Sequence, residues 1–329
     1  MMKYIFESYY KGLKKYIRVL NDFSKDKHLN STYTILDCIW SFIRYGCVLN
    51  QFIDGCFYKR KYFERKDILT YKRWCGIIKH YNNSDDVKIL QNKVEFNKYF
   101  KDFIKRDWIS IKEANYETFN NFMRGKQEVI IRPLDNWEGI GVRVLKIENH
   151  NKVKQLYSEY QDKDLLFEQK IVQKEEMIFN NKSVNTIRIY TACGKNSKKA
   201  HIFKATLRIG IGESIVDNSH NGGCAYEVDL KTGIVCSKGW GHIYNDNIIH
   251  PGSEKKVIGF SIPFWKDVVS MCCSAAERIP TVPFIGWDVA ISSHDEPLLI
   301  EGNHDPDLDM IEFVGSYGYY KKIIEMLEN

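Results

Sequence analysis

The sequence predicts an α+β protein in which a helical N-terminal region precedes a core of mixed β-sheet with flanking helices. Apolar residues recur every three or four positions over 2–20 and 33–58, which is the spacing of amphipathic helices. A polar segment at 81–88, YNNSDDVK, is a candidate domain boundary. After it, short β-rich runs such as EVIIRP, GVRVLKI and NTIRIYTAC alternate with polar or glycine-containing links. Strands and helices in this pattern indicate an α/β or α+β core.

Length and composition exclude several classes of protein. The chain has 329 residues, 44% of them hydrophobic, which is enough for two or three domains with a sizeable core. No apolar run reaches the ~18 to 20 residues that span a bilayer, and the N-terminus lacks the apolar core of a signal peptide. We therefore expect a cytoplasmic protein. Its nine cysteines are scattered without zinc spacing, so we expect them to be reduced and mostly packed.

The N-terminal region, residues 1–90, is basic. It holds 17 Lys and Arg against 9 Asp and Glu, an excess of eight positive charges, whereas the whole chain carries +6. A solvated helical face is the favoured interpretation, and the alternative is an acidic partner such as a membrane surface or an anionic polysaccharide intermediate. One side of the first helix carries Ile5, Tyr9, Leu13, Tyr16 and Leu20. Such a stripe usually packs on its own protein, although it also resembles an interfacial membrane helix. No motif for nucleic-acid binding is present, so we expect no nucleic-acid partner.

The segment GWDVAISSHDEPLLIEGN, residues 286–303, predicts a metal site. WDVAI and PLLI are strand-like and SSHDE is a turn, so two antiparallel strands would bring Asp288 near Glu301. Asn303, two residues beyond Glu301, would face the same side of the strand. Two carboxylates and an amide oxygen suit Mg²⁺, which proteins hold with one or two carboxylates plus substrate phosphates. The alternative is an ordinary hairpin with solvated acids, but Asp305, Asp307 and Asp309 then crowd like charges without a cation.

Two further segments could hold a nucleotide. In VIIRPLDNWEGIGVRVL, residues 129–145, a strand ends near Arg132 and a loop with Gly139 and Gly141 lets the backbone approach phosphate oxygens. This pattern is weak alone, because it is neither a P-loop nor a dinucleotide fingerprint.

The second segment is LLFEQKIVQKEE, residues 165–176. The strand ends at Glu168 and Gln169, followed by Lys170 and Ile171, and backbone groups at this edge could bind an adenine between apolar neighbours. Glu175 or Glu176 could bind ribose. Alone, a plain amphipathic strand is the favoured interpretation.

Together these segments resemble the ATP-grasp superfamily. The order matches: a lysine, an arginine–proline pair before a glycine loop, a Phe-Glu hinge, and then D…E-x-N. The thirteen-residue interval from Asp288 to Glu301 is similar to that of D-alanine–D-alanine ligases. The chain more closely resembles the sugar-transfer-associated ATP-grasp proteins encoded among capsule and surface-polysaccharide genes. That likeness is carried by SVNTIRIYTAC, LRIGIGESIVDNSHNGG, HP at 250–251, GWDVAI, LLIEGN and the N-terminal WSFIRYGCVLNQFIDGCFYK.

The resemblance implies an ATP-grasp fold, in which two α+β subdomains clasp ATP. It would span 91–329 after the helical region 1–90, with a small lid at about 120–180 and a metal- and acceptor-binding subdomain at 181–329. It implies a ligase that uses ATP and Mg²⁺, with two ions, to join a carboxylate to an amine through an acyl phosphate. The partners would be a small-molecule or sugar-linked carboxylate, an amine and proteins of polysaccharide assembly.

The resemblance also implies roles for single residues. The metal ligands would be Asp288, Glu301 and Asn303. The nucleotide would be held by Lys93, Arg132, Gly139, Gly141, Glu168, Lys170, Ile171 and Glu175. The catalytic cations, which orient the acceptor carboxylate or stabilise the acyl phosphate, would be Arg188 and Arg208. The acceptor would contact Asn218, Gly222 and Gly223.

The sequence departs from the family pattern at two positions. Arg132 stands where many ATP-grasp proteins have lysine. A planar guanidinium with several N–H donors therefore takes the place of a compact ammonium group. Gly286 stands where D-alanine–D-alanine ligases have an arginine two residues before the metal aspartate, so Arg188 or Arg208 would have to supply that charge. Two alternatives to a ligase stay open: a phosphotransferase acting on a sugar hydroxyl, and a non-catalytic ATP-binding protein.

Overall fold

The computed structural model describes most of the chain. The described residues are 2–134, 140–147, 149, 152–179, 182–212, 223–241, 249–250, 253 and 255–329, with side chains from Lys14 onward. The α+β prediction is confirmed, because these residues form both a series of helices and two β-sheets. Among the described residues, no helix is both long and apolar enough to traverse a bilayer.

The N-terminal region is helical, as the sequence predicts. Its helices are α1 (Met2–Asp26), α2 (Ser31–Tyr45), α3 (Leu49–Ile53), α4 (Tyr62–Arg65), α5 (Tyr71–Tyr81) and α6 (Val87–Gln91). The Asn30 side chain begins α2 by accepting a hydrogen bond from the backbone N–H of Tyr33. Gly46 ends α2 in the left-handed conformation, with φ 69°, and so divides the predicted helical span at 33–58.

The smaller of the two sheets has the strand order β1-β4-β2-β3. Its strands are β1 (Trp108–Ser110), β2 (Glu128–Pro133), β3 (Arg143–Lys146) and β4 (Leu165–Gln169). Short helices α7 (Lys93–Tyr99) and α8 (Lys101–Ile104) lead into it. Phe119 of α9 (Tyr116–Met123) and Val153 of α10 (Val153–Tyr160) are buried in one core with Phe167 of β4.

The larger sheet has the strand order β7-β6-β5-β8-β9. Its strands are β5 (Thr186–Cys193), β6 (Ala200–Ile209), β7 (Cys224–Glu227), β8 (Phe284–Ile291) and β9 (Pro297–Asn303). The central strand β5 is buried along its whole length. Ile187 and Ile189 share a core with α11 (Trp265–Arg278), whereas Tyr190 and Ala192 share one with α5 and with α13 (Tyr320–Glu328). Helices therefore cover both faces.

All strand pairs in the described sheets are antiparallel, so the prediction of a mixed sheet is wrong. For two of these pairs the connections give the reason. Short links join β5 to β6 and β8 to β9, whereas parallel neighbours need a crossover of a dozen or more residues.

The N-terminal region packs directly on the larger sheet. Asn82, just after α5, donates from Nδ2 to the carbonyls of Phe284 (3.0 Å) and His304 (2.7 Å), and accepts from the Phe284 N–H at 3.1 Å. Glu312, at the end of α12 (Leu308–Glu312), accepts from the Leu69 N–H at 2.8 Å. These contacts hold the N-terminal helices beside β8 and the segment that follows β9.

Candidate active site

A cleft of about 830 Å³ lies between the two sheets. Arg132 of β2 and Glu168 of β4 line it from the smaller sheet. Arg188 of β5, Asp288 of β8 and Glu301 of β9 line it from the larger sheet. Residues that the sequence analysis placed in separate segments therefore meet around one cavity.

The register of β8 and β9 brings the two predicted metal-binding carboxylates together. Asp288 pairs directly with Glu301. The register shifts by one residue next to this pair, since Val289 pairs with Leu299 and leaves Ile300 as the extra residue of a bulge. Val289 and Leu299 are in the buried core, while Ile300 and Glu301 both line the cleft. The bulge thus places Glu301 on the same face as Asp288.

Asn303 completes this set. It pairs with Gly286, two residues before Asp288 on the same face of β8, and it lines the cleft. Its Nδ2 lies 3.5 Å from the Gly286 carbonyl, which leaves the amide oxygen as an acceptor. The predicted convergence of two carboxylates and one amide is present, while metal binding by them stays a prediction.

Two buried arginines hold the Asp288 carboxylate. Arg188 donates from Nε to Oδ1 and from Nη2 to Oδ2 (2.9 Å), and Arg208 Nη1 lies 3.2 Å from Oδ2. Burial raises the pKa of Asp288, but the guanidinium groups of Arg188 and Arg208 outweigh it and lower the pKa to about 2. Asp288 is therefore ionised at neutral pH and can only accept hydrogen bonds or bind cations.

The structure explains how a glycine at 286 is compatible with this arrangement. Arg188 pairs with Asp288 across β5 and β8, and its side chain passes Gly286. A Cβ atom at 286 would lie 3.2 Å from Cδ of Arg188 and 2.7 Å from Cβ of Pro306. Arg188 thus supplies a guanidinium beside Asp288, in agreement with the expectation that Arg188 or Arg208 provides this charge.

A second ionic network joins the two sheets. Arg132 donates from Nη1 to Glu168 of the smaller sheet (3.3 Å) and from Nη2 to Glu301 of the larger sheet (2.7 Å). Arg106, in the segment before β1, lies 2.7 Å from Glu168 through Nη2 and also donates to the carbonyls of Leu299 and Ile300. Both arginines therefore bridge β4 and β9.

Glu168 is the centre of this network. It is nearly fully buried, which raises its pKa, but Arg106 and Arg132 outweigh burial and lower the pKa to about 2. Its carboxylate is thus bound to arginines, it lines the cleft, and its predicted part in an adenine pocket stays a prediction. The role of Arg106 was not predicted from the sequence. An ionised glutamate inside the apolar strand LLFEQ requires a buried cation as its partner. The sequence does not show which arginine this is, because the partner depends on how the strands pack.

The sequence profile described as sugar-transfer associated ATP-grasp matches residues 75–327. The chain belongs to this family. The match begins within α5 and includes both sheets, so it contains every residue of the two ionic networks. The prediction of an ATP-grasp fold after an N-terminal helical region is confirmed.

Several solved structures are similar to this chain. No curated protein matches the sequence. The ATP-grasp ligase PsnB, complexed with minimal precursor, Mg and ADP, has a TM-score of 0.46 and 10% identity, over 76% of this chain and 62% of PsnB. The ADP complex of purK, N5-carboxyaminoimidazole ribonucleotide synthetase, has a TM-score of 0.48 and 10% identity, over 78% of this chain and 57% of purK. D-alanine–D-alanine ligase from Bacillus anthracis has a TM-score of 0.43 and 13% identity, over 74% of this chain and 69% of the ligase. This chain thus spans less than two thirds of the first two proteins.

The remaining predicted nucleotide-binding residues of this ATP-grasp protein lie in different places. Lys93, at the start of α7, donates to the Leu134 carbonyl at 3.0 Å and lines a smaller cavity that shares Arg132, Glu301 and Asn303 with the main cleft. Lys170 lines the main cleft beside Ile171, and its ammonium pairs with Glu128.

The predicted glycine loop is described only in part. Gly139 lies outside the described residues. Gly141 has φ 79°, a conformation that favours glycine, and lies between Ile140 and Val142, which line the cavities. Glu175 is exposed in a 3-10 turn and is not among the described residues that line the cleft.

One wall of the cleft is apolar. It is formed by Ile130, Val142, Val144, Ile171, Val184 and Ile300. Ile130 and Val144 belong to the smaller sheet and Ile300 to the larger, and the other three lie just outside the strands. An apolar wall beside a few polar groups is typical of a ligand pocket.

The N-terminal region also reaches the cleft, a contribution that the sequence did not predict. Its lining residues are Val48, Asn50, Gln51, Tyr71 and Trp74. Trp74 donates from Nε1 to the Pro306 carbonyl at 2.9 Å, within a segment whose Asp305, Asp307 and Asp309 also line the cleft. Of the predicted acceptor contacts, Asn218 and Gly222 lie outside the described residues, and Gly223 is buried immediately before β7.

The donor set fits a magnesium ion that binds together with a nucleotide. Within the described part of the chain, no group of three or more His, Cys, Asp or Glu side chains is arranged around a common metal position. Asp288 and Glu301 supply two carboxylates and Asn303 an amide oxygen. Mg²⁺ usually keeps only one or two protein carboxylates and completes its shell with phosphate oxygens and water.

Proposed function

We propose that this protein is an ATP- and Mg²⁺-dependent ligase that joins a carboxylate to an amine through an acyl phosphate, in the assembly of a surface polysaccharide. One observation carries the proposal. Asp288, Glu301 and Asn303 converge on the face of a cleft where three arginines, Arg132 and the Asp288-bound pair, provide fixed positive charge.

The carboxylates and the amide would hold the metal. When bound, Mg²⁺ neutralises charge on the transferring phosphate. Asp288 is suited to this role because it stays ionised at neutral pH, and Glu301 because it lies opposite on the neighbouring strand. The apolar wall that includes Ile130 and Val184 would hold the adenine ring.

The arginines supply positive charge that does not depend on pH. Arg188 and Arg208 line the cleft beside Asp288, so they would orient the acceptor carboxylate and stabilise the oxygens of an acyl phosphate. Fixed charges of this kind contribute most of the catalysis in phosphoryl transfer, because they need no reorganisation during the reaction.

The opposite charge in the same cleft supports an amine as the second substrate. Asp305, Asp307 and Asp309 line the cleft together with Tyr71 and Trp74. Carboxylates attract an ammonium group, and aromatic rings attract it through their electron-rich faces. A phosphotransferase would use the same nucleotide residues but has no need of an ammonium-binding wall.

The test is product analysis with the purified full chain, ATP and Mg²⁺. ADP release is measured against a panel of uronic acids and amino acids, with and without hydroxylamine. A hydroxamate formed with one carboxylic acid would establish an acyl phosphate, and a new amide formed with an amine would establish the ligase. A stable phosphoester, formed in place of any hydroxamate, would refute the ligase proposal in favour of a phosphotransferase.

A matched pair of variants controls the assay. Glu301→Gln keeps the side-chain shape but removes a metal-binding charge, and we expect it to abolish ADP release. Glu113→Gln changes a surface glutamate that pairs with the exposed Lys98, and we expect normal turnover.

A further inference from the structure

Helix α2 exposes most of its large apolar side chains, whereas two of its four buried residues carry hydroxyl groups on short side chains. The exposed side carries Tyr33, Leu36, Ile39, Trp40, Phe42 and Ile43, and we call these six residues the α2 outer face. They are 48% to 71% exposed. The buried side carries Thr34, Cys38, Ser41 and Tyr45. A helix that packs only on its own protein would bury such large apolar side chains.

Buried polar contacts fix this orientation. Asp37 pairs with Arg65 of α4, with Nη2 at 2.8 Å from Oδ2, and both side chains are nearly buried. The same guanidinium donates to Ser41 at 3.2 Å, and Thr70 donates to the Tyr45 carbonyl. Rotating α2 to bury its apolar side would break these contacts and leave buried charges unpaired. The outer face is therefore a stable feature of the fold.

The distribution of residue types within the outer face is that of a helix lying at a lipid surface. At 100° per residue, Leu36, Ile39 and Ile43 form the centre of the exposed arc, with Trp40 and Tyr33 at one edge and Phe42 at the other. Aliphatic side chains in the middle with Trp and Tyr at the border match the depth profile of a bilayer interface. A contiguous exposed patch of this kind is uncommon on a protein without a partner.

The surrounding charge favours an anionic surface. The outer face contains no acidic residue, and Arg44 follows it at the end of α2. The neighbouring helix α1 exposes Lys14 and Lys15 beside Tyr16 and Ile17. Residues 1–90 as a whole carry eight excess positive charges. Basic residues next to exposed apolar ones are attracted to the anionic headgroups of a membrane.

A second exposed pair extends the same chemistry. Tyr62 and Phe63 are more than half exposed on α4, the helix whose Arg65 anchors α2. Lys66 lies 5.1 Å from the Tyr62 ring centre and Lys61 5.9 Å from that of Phe63. From these observations we propose that the α2 outer face docks on the surface of a membrane that contains anionic lipids.

The experiment is vesicle co-sedimentation with the full chain. We expect binding to vesicles that contain phosphatidylglycerol, weaker binding to pure phosphatidylcholine, and release by salt. Leu36→Ser with Ile43→Ser should lower partitioning at least about tenfold, since each removes an aliphatic group that docking would bury in the bilayer. Replacing Lys14 and Lys15 by Gln should lower binding to anionic vesicles alone, by about fivefold per lysine. The matched control, Ile234→Ser, changes an exposed isoleucine far along the chain and should bind like the parent protein.

A second readout tests the location of contact. Vesicles should shift the tryptophan emission to shorter wavelength, and Trp40→Phe should remove most of that shift while sedimentation persists. The α2 positions are exposed, so unchanged circular dichroism and melting of each variant would verify folding. The proposal is overturned if neither vesicle binds the protein, or if the α2 variants bind as well as Ile234→Ser. It is equally overturned if light scattering shows that the outer face joins two copies of the chain and the α2 variants abolish that dimer without affecting vesicle binding.

Discussion

Replacing Glu168 by glutamine tests whether the ionic network between the two sheets holds them together. Glu168 is buried between Arg106 and Arg132, and both arginines also contact β9. The substitution keeps the volume of the side chain but removes the negative charge that both guanidinium groups share. It should therefore cost stability without creating a cavity.

The size of the loss can be worked out in two ways. The pKa of Glu168 falls from 4.5 to about 2 in the folded protein, which corresponds to about 3 kcal/mol of stabilisation of the ionised form. Removing one partner of a buried ion pair typically costs about 3 to 5 kcal/mol. The two estimates agree, and we expect Glu168→Gln to lower the free energy of unfolding by about 3 to 5 kcal/mol.

Urea denaturation followed by circular dichroism measures this loss, and a surface ion pair provides the control. Asp164 pairs with Lys112 at 2.7 Å, but both side chains are about half exposed. Asp164→Asn should cost less than about 1 kcal/mol. If Glu168→Gln cost no more than Asp164→Asn, the idea that the network joins the sheets would be wrong.

The same carboxylate sets an acid dependence. Because the folded pKa of Glu168 lies below its unfolded value, its stabilisation is fully present above about pH 4.5 and is lost as the pH falls toward 2. The unfolding free energy of the parent chain should therefore decline over this range more steeply than that of Glu168→Gln. Equal slopes would contradict the assignment.

Three further predictions concern the larger sheet. Glu301→Gln should abolish ADP release but cost less stability than Glu168→Gln, because Glu301 is partly exposed and Arg132 keeps Glu168 as a partner; retained turnover would refute its proposed role in the metal site. Gly286→Ala should cost about 1 to 3 kcal/mol of stability and lower ADP release at least about tenfold, since its Cβ would meet the side chain of Arg188. Lys204→Met should cost about 3 to 5 kcal/mol in urea denaturation, because the fully buried ammonium of Lys204 pairs with Glu227 at 2.8 Å and donates to the Val314 carbonyl at 2.6 Å.

The hairpin of Asp288 and Glu301 shows how far the sequence alone can lead. Two apolar runs around a polar turn predict antiparallel strands, and the structure has them. The register of these strands could not be predicted from the sequence. Continuing the pairing of Val289 with Leu299 would place Asp288 opposite Ile300 and turn Glu301 to the other face. Only the bulge at Ile300 brings the carboxylates of Asp288 and Glu301 to the same face, and no residue type in PLLIEGN predicts a bulge there.

Long-range contacts were the least predictable part of the site. Arg106 lies sixty-two residues before Glu168 in the sequence. Its hydrogen-bond partners depend on how β4 packs against β9. The contribution of Tyr71 and Trp74 to the cleft depends on how α5 packs against the larger sheet, which Asn82 fixes through three hydrogen bonds to distant backbone groups. Periodicity predicts that such helices exist but does not predict which surface they cover.

The charges of the cleft link its proposed metal ligands to its arginines. Asp288 is compensated by Arg188 and Arg208, and Glu301 by Arg132, so each carboxylate has a partner before any substrate enters. A metal ion alone would have to compete with these guanidinium groups for the carboxylates. A metal bound to phosphates presents both signs of charge, so the carboxylates and the arginines can each gain a partner. In the proposed reaction the site therefore favours the metal–nucleotide complex over either component alone.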